Sequence, residues 1–315
     1  MKSLKLLSIL FFLFITISIQ AKDKQDTLYF DLAWKKCTKS KSSFYRIVSK
    51  ETDTYKVMDY YITDTLQMIG YYTSKKLKVK NGIFQYYSED GFLTSEGLYQ
   101  FGKEEGVHLS YNKGVLISQV NYLNGMRNGH ALYFSPINGR TIEGECVLNK
   151  NEGLWLSYKV PSIILLKKNY VGGKLNGPFQ SYYENGNIKR RDMYAQDSLT
   201  RGNCFALDGS EIPYFEYETD AIYKSGPEDY RKYLSDHFEY PEYCINKNIK
   251  GKVYLSFIIN EKGEVSEIKV VKGAHPKLNA AAVNVFKDMP NWTPAKIDGE
   301  GVSSYFNQVI NFQLD

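Results

Sequence analysis

Four histidines, His108, His130, His237 and His275, and four cysteines, Cys37, Cys146, Cys204 and Cys244, are the side chains of this sequence best suited to metal ligation or nucleophilic chemistry. Their spacing serves neither. The histidines fall in separate stretches with no shared metal-ligand interval, and the cysteines form no C-x-x-C pair, so neither a zinc site nor a thioredoxin-type motif is built. No G-x-S-x-G, H-E-x-x-H or phosphate loop occurs, and the paired carboxylates Glu104-Glu105 lie in a turn segment where solvation is the default. The chain therefore reads as no enzyme, with no cofactor and no metal. An even cysteine count permits disulfides in an exported protein but cannot pair them.

The elements that carry these residues repeat. Gly82, Gly106, Gly129, Gly153, Gly177 and Gly202 are separated by 24, 23, 24, 24 and 25 residues, and each follows Asn, Glu or Arg. The fifth residue after each is Tyr87, Tyr111, Phe134, Tyr158, Tyr182 and Leu207, a column expected to be a shared core position. Ile83, Val107 and Leu154 occupy the first position after the glycine, and Leu109, Leu132 and Leu156 the third, which is the period of a strand with one buried face. Seven residues before the glycines stand Tyr99, Tyr122, Cys146 and Tyr170, giving a second strand per unit. Glu89-Asp90-Gly91, Asn112-Lys113-Gly114 and Glu184-Asn185-Gly186 supply the turns, and the repeat glycines are expected to be turn glycines as well. Each unit is thus a β-hairpin that must stack on its neighbours into a long antiparallel sheet. Cys146, in a column otherwise held by tyrosine, reads as a small buried hydrophobe. It stands two repeats from Cys204, about 19 Å at two strands per repeat, far beyond disulfide reach.

The stretches Tyr122-Leu-Asn-Gly-Met-Arg-Asn-Gly129 and Tyr170-Val-Gly-Gly-Lys-Leu-Asn-Gly-Pro-Phe-Gln-Ser-Tyr-Tyr-Glu-Asn-Gly186 resemble bacterial MORN-type repeats, also found in antitoxin-like proteins. The resemblance runs over 55–211 and specifies fold better than function. The face is expected to act as spacer or scaffold, with a ligand- or lipid-binding surface as the alternative. Seven hairpins at about 4.8 Å per strand would extend roughly 65 Å.

Beyond Glu211 the glycine period stops. Gly226-Pro227-Glu228-Asp229 opens a short helix, Val253, Leu255 and Phe257 alternate in a strand, Asn260-Glu261-Lys262-Gly263 turns, and 265–271 returns. Asn279 is expected to cap an alanine-rich helix, 280–289, ending at Pro290, and 302–314 forms a last strand. The order β-β-α-β gives an α+β fold, and Trp292 is expected to pack beneath its helix.

This region resembles the TonB C-terminal domain in the form of Bacteroidota energy transducers. The resemblance rests on Tyr230-Arg-Lys-Tyr-Leu, Tyr240-Pro241, Ile249 to Phe257, Asn260 to Gly263, Val270 to Gly273, His275-Pro276, Met289 to Pro294 and Val309 to Phe312. Cys244 departs from the small residue usual there, and the Pro-rich linker and full-length anchor helix of a transducer are missing. The resemblance implies that an exposed edge strand, Ser303, Ser304, Tyr305, Phe306, Asn307, Gln308 and Val309, adds an extended peptide of an outer-membrane receptor.

The N-terminus supplies the compartment. Lys2 and Lys5 precede an apolar run, Leu6 to Ile19, and Ala21 precedes Lys22-Asp23-Lys24, a signal-peptide pattern with cleavage expected after Ala21. As a helix the 14-residue run would span about 21 Å against a roughly 30 Å hydrocarbon core, which disfavours the alternative of an inner-membrane anchor. With 315 residues, 43% hydrophobic, 24% charged and net +5 without a concentrated basic face, the chain is globular and not a nucleic-acid binder. The expected layout is a signal peptide (1–21), a lead segment (22–54), the hairpin repeats (55–211), a linker with a short helix (212–239) and the TonB-like domain (240–315). The expected role is a periplasmic, non-enzymatic receptor-binding module. Its alternative is an envelope scaffold that binds peptidoglycan or self-assembles as a homo-oligomer.

Overall fold

The computed structural model describes residues 27–159, 163–224 and 226–314. The expected signal peptide and its cleavage site lie outside them. Sixteen strands follow one another in a sheet whose spatial order is the order of sequence. They are β1 (Leu28–Phe30), β2 (Phe44–Lys50), β3 (Tyr55–Tyr61), β4 (Leu66–Tyr72), β5 (Gly82–Tyr87), β6 (Leu93–Gln100), β7 (Lys103–Asn112), β8 (Val115–Leu123), β9 (Met126–Ser135), β10 (Arg140–Val147), β11 (Lys150–Lys159), β12 (Ile163–Val171), β13 (Lys174–Tyr182), β14 (Ile188–Ala195), β15 (Ser198–Phe205) and β16 (Glu211–Ile212). Gly91, Gly114 and Gly186 turn the hairpins at φ of 82°, 83° and 88°, as their sequence contexts require. Two compact units form: residues up to Pro178 with Tyr194–Ser198, and Phe179–Met193 with Leu199 onward.

In the first unit two expectations are corrected. The repeat glycines are not hairpin-turn residues. Gly106, Gly129 and Gly153 sit inside β7, β9 and β11 at φ of 67°, 102° and 65°, opposite Tyr122, Cys146 and Tyr170. Register shifts on neighbouring ladders, between Glu96 and Leu98, Val120 and Tyr122, and Glu143 and Glu145, mark them as β-bulge positions.

The buried column is also not the expected one. Ile83, Val107 and Leu154 are 55%, 46% and 48% exposed, and Tyr87, Tyr111, Phe134 and Tyr158 are half-buried on that same outer face. The second residue after each glycine faces the core instead: Phe84, Ala131 and Trp155 are buried, with His108 nearly so. The physical reason is the neighbouring strand. A Cβ added at Gly70 would collide with the Phe84 ring, at Gly97 with His108, and at Gly144 with Trp155, so each large ring lies over a bare backbone. Tyr72, Phe84, Tyr99, His108 and Tyr122 then form a ladder of rings with centroids 4.9–5.3 Å apart. His108 belongs to this packing, its Nε2–H donating to the Leu98 carbonyl at 2.9 Å. Cys146, fully buried, takes the tyrosine position as a small hydrophobe. Gly144→Ala should therefore destabilise by about 1–3 kcal/mol through overpacking against Trp155. Chemical denaturation followed by Trp fluorescence measures it, and an unchanged midpoint would refute the glycine-under-ring account.

The second unit holds the last hairpins and the small α+β domain. Its remaining elements are β17 (Glu218–Thr219), α1 (Pro227–His237), α2 (Glu242–Asn246), β18 (Gly251–Ile259), β19 (Val265–Lys272), α3 (Pro276–Lys287), β20 (Ala295–Ile297), β21 (Glu300–Val302) and β22 (Ser304–Phe312). The expected β-β-α-β order holds in β18, β19, α3 and β22, whose sheet order is β19-β18-β22. A second small sheet, β17-β20-β21, is added. Helix α3 begins one turn earlier than expected: His275 is its N-cap, its Nδ1 accepting the Lys277 N–H, and Pro276 takes the first turn. Asn279 lies within the helix, its Oδ1 accepting the Ala274 N–H. Val253, Leu255, Phe257 and Ile259 of β18 pack against Leu278, Ala282, Val285 and Phe286 of α3, with Trp292, Ile310 and Phe312 in the same core. Among the described residues no helix is long and apolar enough to cross a membrane.

The candidate peptide-binding edge

Strand β22 alternates in exposure as its sequence does. Ser304, Phe306, Gln308, Ile310 and Phe312 turn inward, while Tyr305, Asn307, Val309 and Asn311 are exposed, Tyr305 by 80%. It pairs with β18 along its whole length, from Ser304 opposite Ile259 to Phe312 opposite Gly251. On its other side no strand follows, so it is an edge of the three-stranded sheet. Of the seven residues expected here, Ser304 to Val309 lie in the strand. Ser303 precedes it, its hydroxyl donating to Glu261 at 2.7 Å and holding that carboxyl below its usual pKa. The strand continues beyond these residues to Phe312, within the 302–314 expected for the last strand.

Two side-chain contacts dress this edge. The Val309 carbonyl accepts the Gln308 Nε2–H at 3.0 Å, which by strand alternation marks the odd-numbered residues as those whose backbone groups point away from β18. Gln308 Oε1 in turn accepts the Tyr230 hydroxyl at 3.0 Å, tying α1 to the strand. Burial pushes the Tyr230 phenol well above its usual pKa, so it stays a donor at physiological pH. Trp292, 7% exposed, lies between Tyr230, Tyr223 and Phe306, with ring centroids 5.2, 5.5 and 4.9 Å away. Its ring thus sits in the core as expected, with α1 and β22 as its aromatic neighbours. Tyr223 and Tyr230 are the residues sequence reasoning did not assign to this site. Tyr230 stood in a motif, whereas Tyr223 carried no signal. Cys244 is fully buried, its thiol 3.9 Å from His275 Nδ1.

Where the last hairpin meets the small sheet of the second unit, Arg190 is fully buried. It donates from Nε to Asp298 at 3.0 Å, from Nη1 to Asp192 at 2.9 Å and from Nη2 to the Phe215 carbonyl at 2.7 Å. The rings of Tyr214, Phe215 and Tyr217 enclose its guanidinium. Burial disfavours the Arg190 charge, but the hydrogen bonds to Asp298 and Asp192 outweigh it and hold its pKa above the ordinary value. Burial pushes the Asp192 carboxyl up, and Arg190 only partly reverses this. Tyr214, Phe215 and Tyr217, in the stretch 212–239 expected to be a linker with a short helix, thus supply part of a packed polar cluster.

Residues 236–314 match the family described as Gram-negative bacterial TonB protein C-terminal. The matched span is about a quarter of the chain and contains α2, β18, β19, α3 and β22, so the small domain is TonB-like. That family is a transport-associated, non-enzymatic domain of cell-envelope proteins. No curated protein matches the chain.

Proposed function

We propose that this protein is exported to the periplasm by removal of residues 1–21 and serves energy-coupled transport, its TonB-like domain binding an extended peptide of an outer-membrane receptor. The peptide adds as a fourth strand beside β22, where backbone hydrogen bonds give affinity and alternate side chains give selectivity. The observation that carries this reading is a long strand at a sheet edge, inside the span that matches TonB, with its odd-numbered backbone groups turned outward. The hairpin array is read as MORN-like and as the scaffold that presents the domain.

A photo-crosslinking residue at Tyr305 in the exported full-length chain should form adducts with the periplasmic segment of an outer-membrane receptor. Asn307→Pro removes an outward amide donor without touching the β18 ladder, and should reduce the adduct at least about tenfold while β18 amides keep their exchange protection. Adducts confined to cell-wall glycan or to other copies of this chain would overturn the receptor reading in favour of a structural scaffold.

A further inference from the structure

In a sheet whose spatial order is the order of sequence, successive connections alternate between the two ends of the strands, so every second one falls on the same row. In the first unit one such row holds the loop 73–81 between β4 and β5, then the turns 101–102, 124–125, 148–149 and 172–173. Each turn is tied to the connection before it. The Gly102, Gly125, Asn149 and Gly173 amides donate to the carbonyls of Lys80, Glu104, Arg127 and Asn151 at 2.8–3.0 Å. The row is therefore a stiff ridge with one turn about every 10 Å, about 40 Å in all. Its charge is one-sided. Lys75, Lys76, Lys78, Lys103, Lys150 and Lys174 are exposed along it, and the segments 73–81, 100–103, 123–126, 147–150 and 171–174 contain no acidic residue. Glu105 and Glu152, in the strands that follow two of these turns, are bound back: their Oε2 atoms accept the Asn124 and Gly172 amides at 2.9 and 2.7 Å. The preceding connection on this side, 51–54, carries Glu51 and Asp53, so the basic stretch begins at the loop 73–81. The opposite row mixes signs, with Asp64, Glu89 and Asp90 beside Lys113 and Arg140.

Two apolar residues on the ridge stand where folding alone would not put them. Phe101 and Leu148 are the first residues of two-residue turns in which both positions have positive φ: 48° and 85° at Phe101-Gly102, 48° and 69° at Leu148-Asn149. Such turns favour Asn or Gly there, and Asn124 and Gly172 hold the equivalent positions of the neighbouring turns. A large side chain at positive φ strains the backbone, and at 80% and 54% exposure these two gain little packing in return. We propose that the ridge lies against an anionic phospholipid leaflet, its lysines at the headgroup phosphates and Phe101 and Leu148 entering the interface. A soluble polyanion would use the lysines but leave the apolar tips in water, and a neutral surface would leave the lysines without counter-charges. No charge run marks the ridge in the sequence, because Lys103, Lys150 and Lys174 stand 47 and 24 residues apart and converge only in the sheet. The inference uses the first unit alone and is independent of the strand-addition reading.

The test uses the chain from Lys22 onward, which keeps every described residue and omits the apolar run 6–19, itself able to bind lipid. It should float with vesicles of phosphatidylglycerol and phosphatidylethanolamine, bind phosphatidylcholine vesicles at least about tenfold more weakly, and release as salt is raised. With each lysine near an anionic leaflet worth about fivefold, Lys103→Gln, Lys150→Gln and Lys174→Gln together should lower the affinity about a hundredfold. Lys113→Gln, on the opposite row, should leave it unchanged. Phe101→Asn with Leu148→Asn should lower it about tenfold while the melting temperature stays or rises, the reverse of what a packing role gives. Equal binding to neutral vesicles, or a triple-lysine variant that binds as the parent does, would overturn the ridge as a lipid contact. A lowered melting temperature in the double asparagine variant would show that the two tips serve packing and overturn their insertion. Binding to purified cell-wall sacculi but to neither kind of vesicle, lost with the same three lysines, would replace the lipid by an anionic wall polymer.

Discussion

Arg190→Ala should destabilise the second unit by about 3–5 kcal/mol, because it leaves Asp192 and Asp298 facing a buried gap instead of a guanidinium. The loss is not that of one ion pair. It combines an uncompensated buried carboxylate, an unpaired Phe215 carbonyl and the packing of three rings around the guanidinium. Amide exchange of β18 measures the effect on this unit without requiring whole-chain two-state unfolding. The pH dependence has a definite sign. Asp192 has a folded-state pKa raised by burial, so its neutral form favours the fold below that pKa and its charged form penalises it above. Without Arg190 the penalty is uncompensated, and the deficit of Arg190→Ala should be largest at neutral pH and shrink on acidification. Arg190→Met with Asp192→Leu should recover much of the stability, since matched apolar groups carry no such penalty. A deficit below about 1 kcal/mol at neutral pH would show that the cluster is solvated.

The buried arginine also shows where sequence reasoning ends. Its partner Asp298 is 108 residues away, and nothing in either neighbourhood distinguishes them from surface charges. By contrast β22 was legible because it alternates strictly, and β18 because Val253, Leu255, Phe257 and Ile259 recur at every second position and pack against a helix. In the hairpin array both faces carry apolar residues, so period two defines the strands without choosing the core side. What chooses it is Gly70, Gly97 and Gly144, each meaningful only with the register that places it under a ring of the next strand. The β22 edge follows the same logic. Its strand could be read from sequence, but the aromatic packing behind it could not, because Tyr223 lies in a stretch with neither period nor motif and joins the core only through its contacts, Trp292 among them.

Trp292→Ala should cost about 3–5 kcal/mol, the loss expected when a large buried aromatic side chain is truncated. The ring contacts Tyr223, Tyr230 and Phe306, and its Nε1–H donates to Met289 Sδ at 3.2 Å. Its backbone N–H also donates to the Gly263 carbonyl at 2.8 Å, so the side chain is carried on a loop clamped to the β18–β19 turn. A Cβ at Gly263 would collide with the Trp292 carbonyl, leaving that clamp no slack. Truncation therefore removes core area while the loop stays in place, and a cavity opens that the clamped backbone cannot close. Because the same ring packs against Phe306 of β22, thermal stability and peptide affinity should fall together. Trp292→Phe, which keeps most of the ring contacts, should lose less of both. A melting transition identical to the parent's with binding abolished would refute the core role and make Trp292 a ligand contact alone. Retained binding in a markedly destabilised variant would show that the ring does not shape the edge, and would leave the outward backbone of β22 as the whole of the recognition surface.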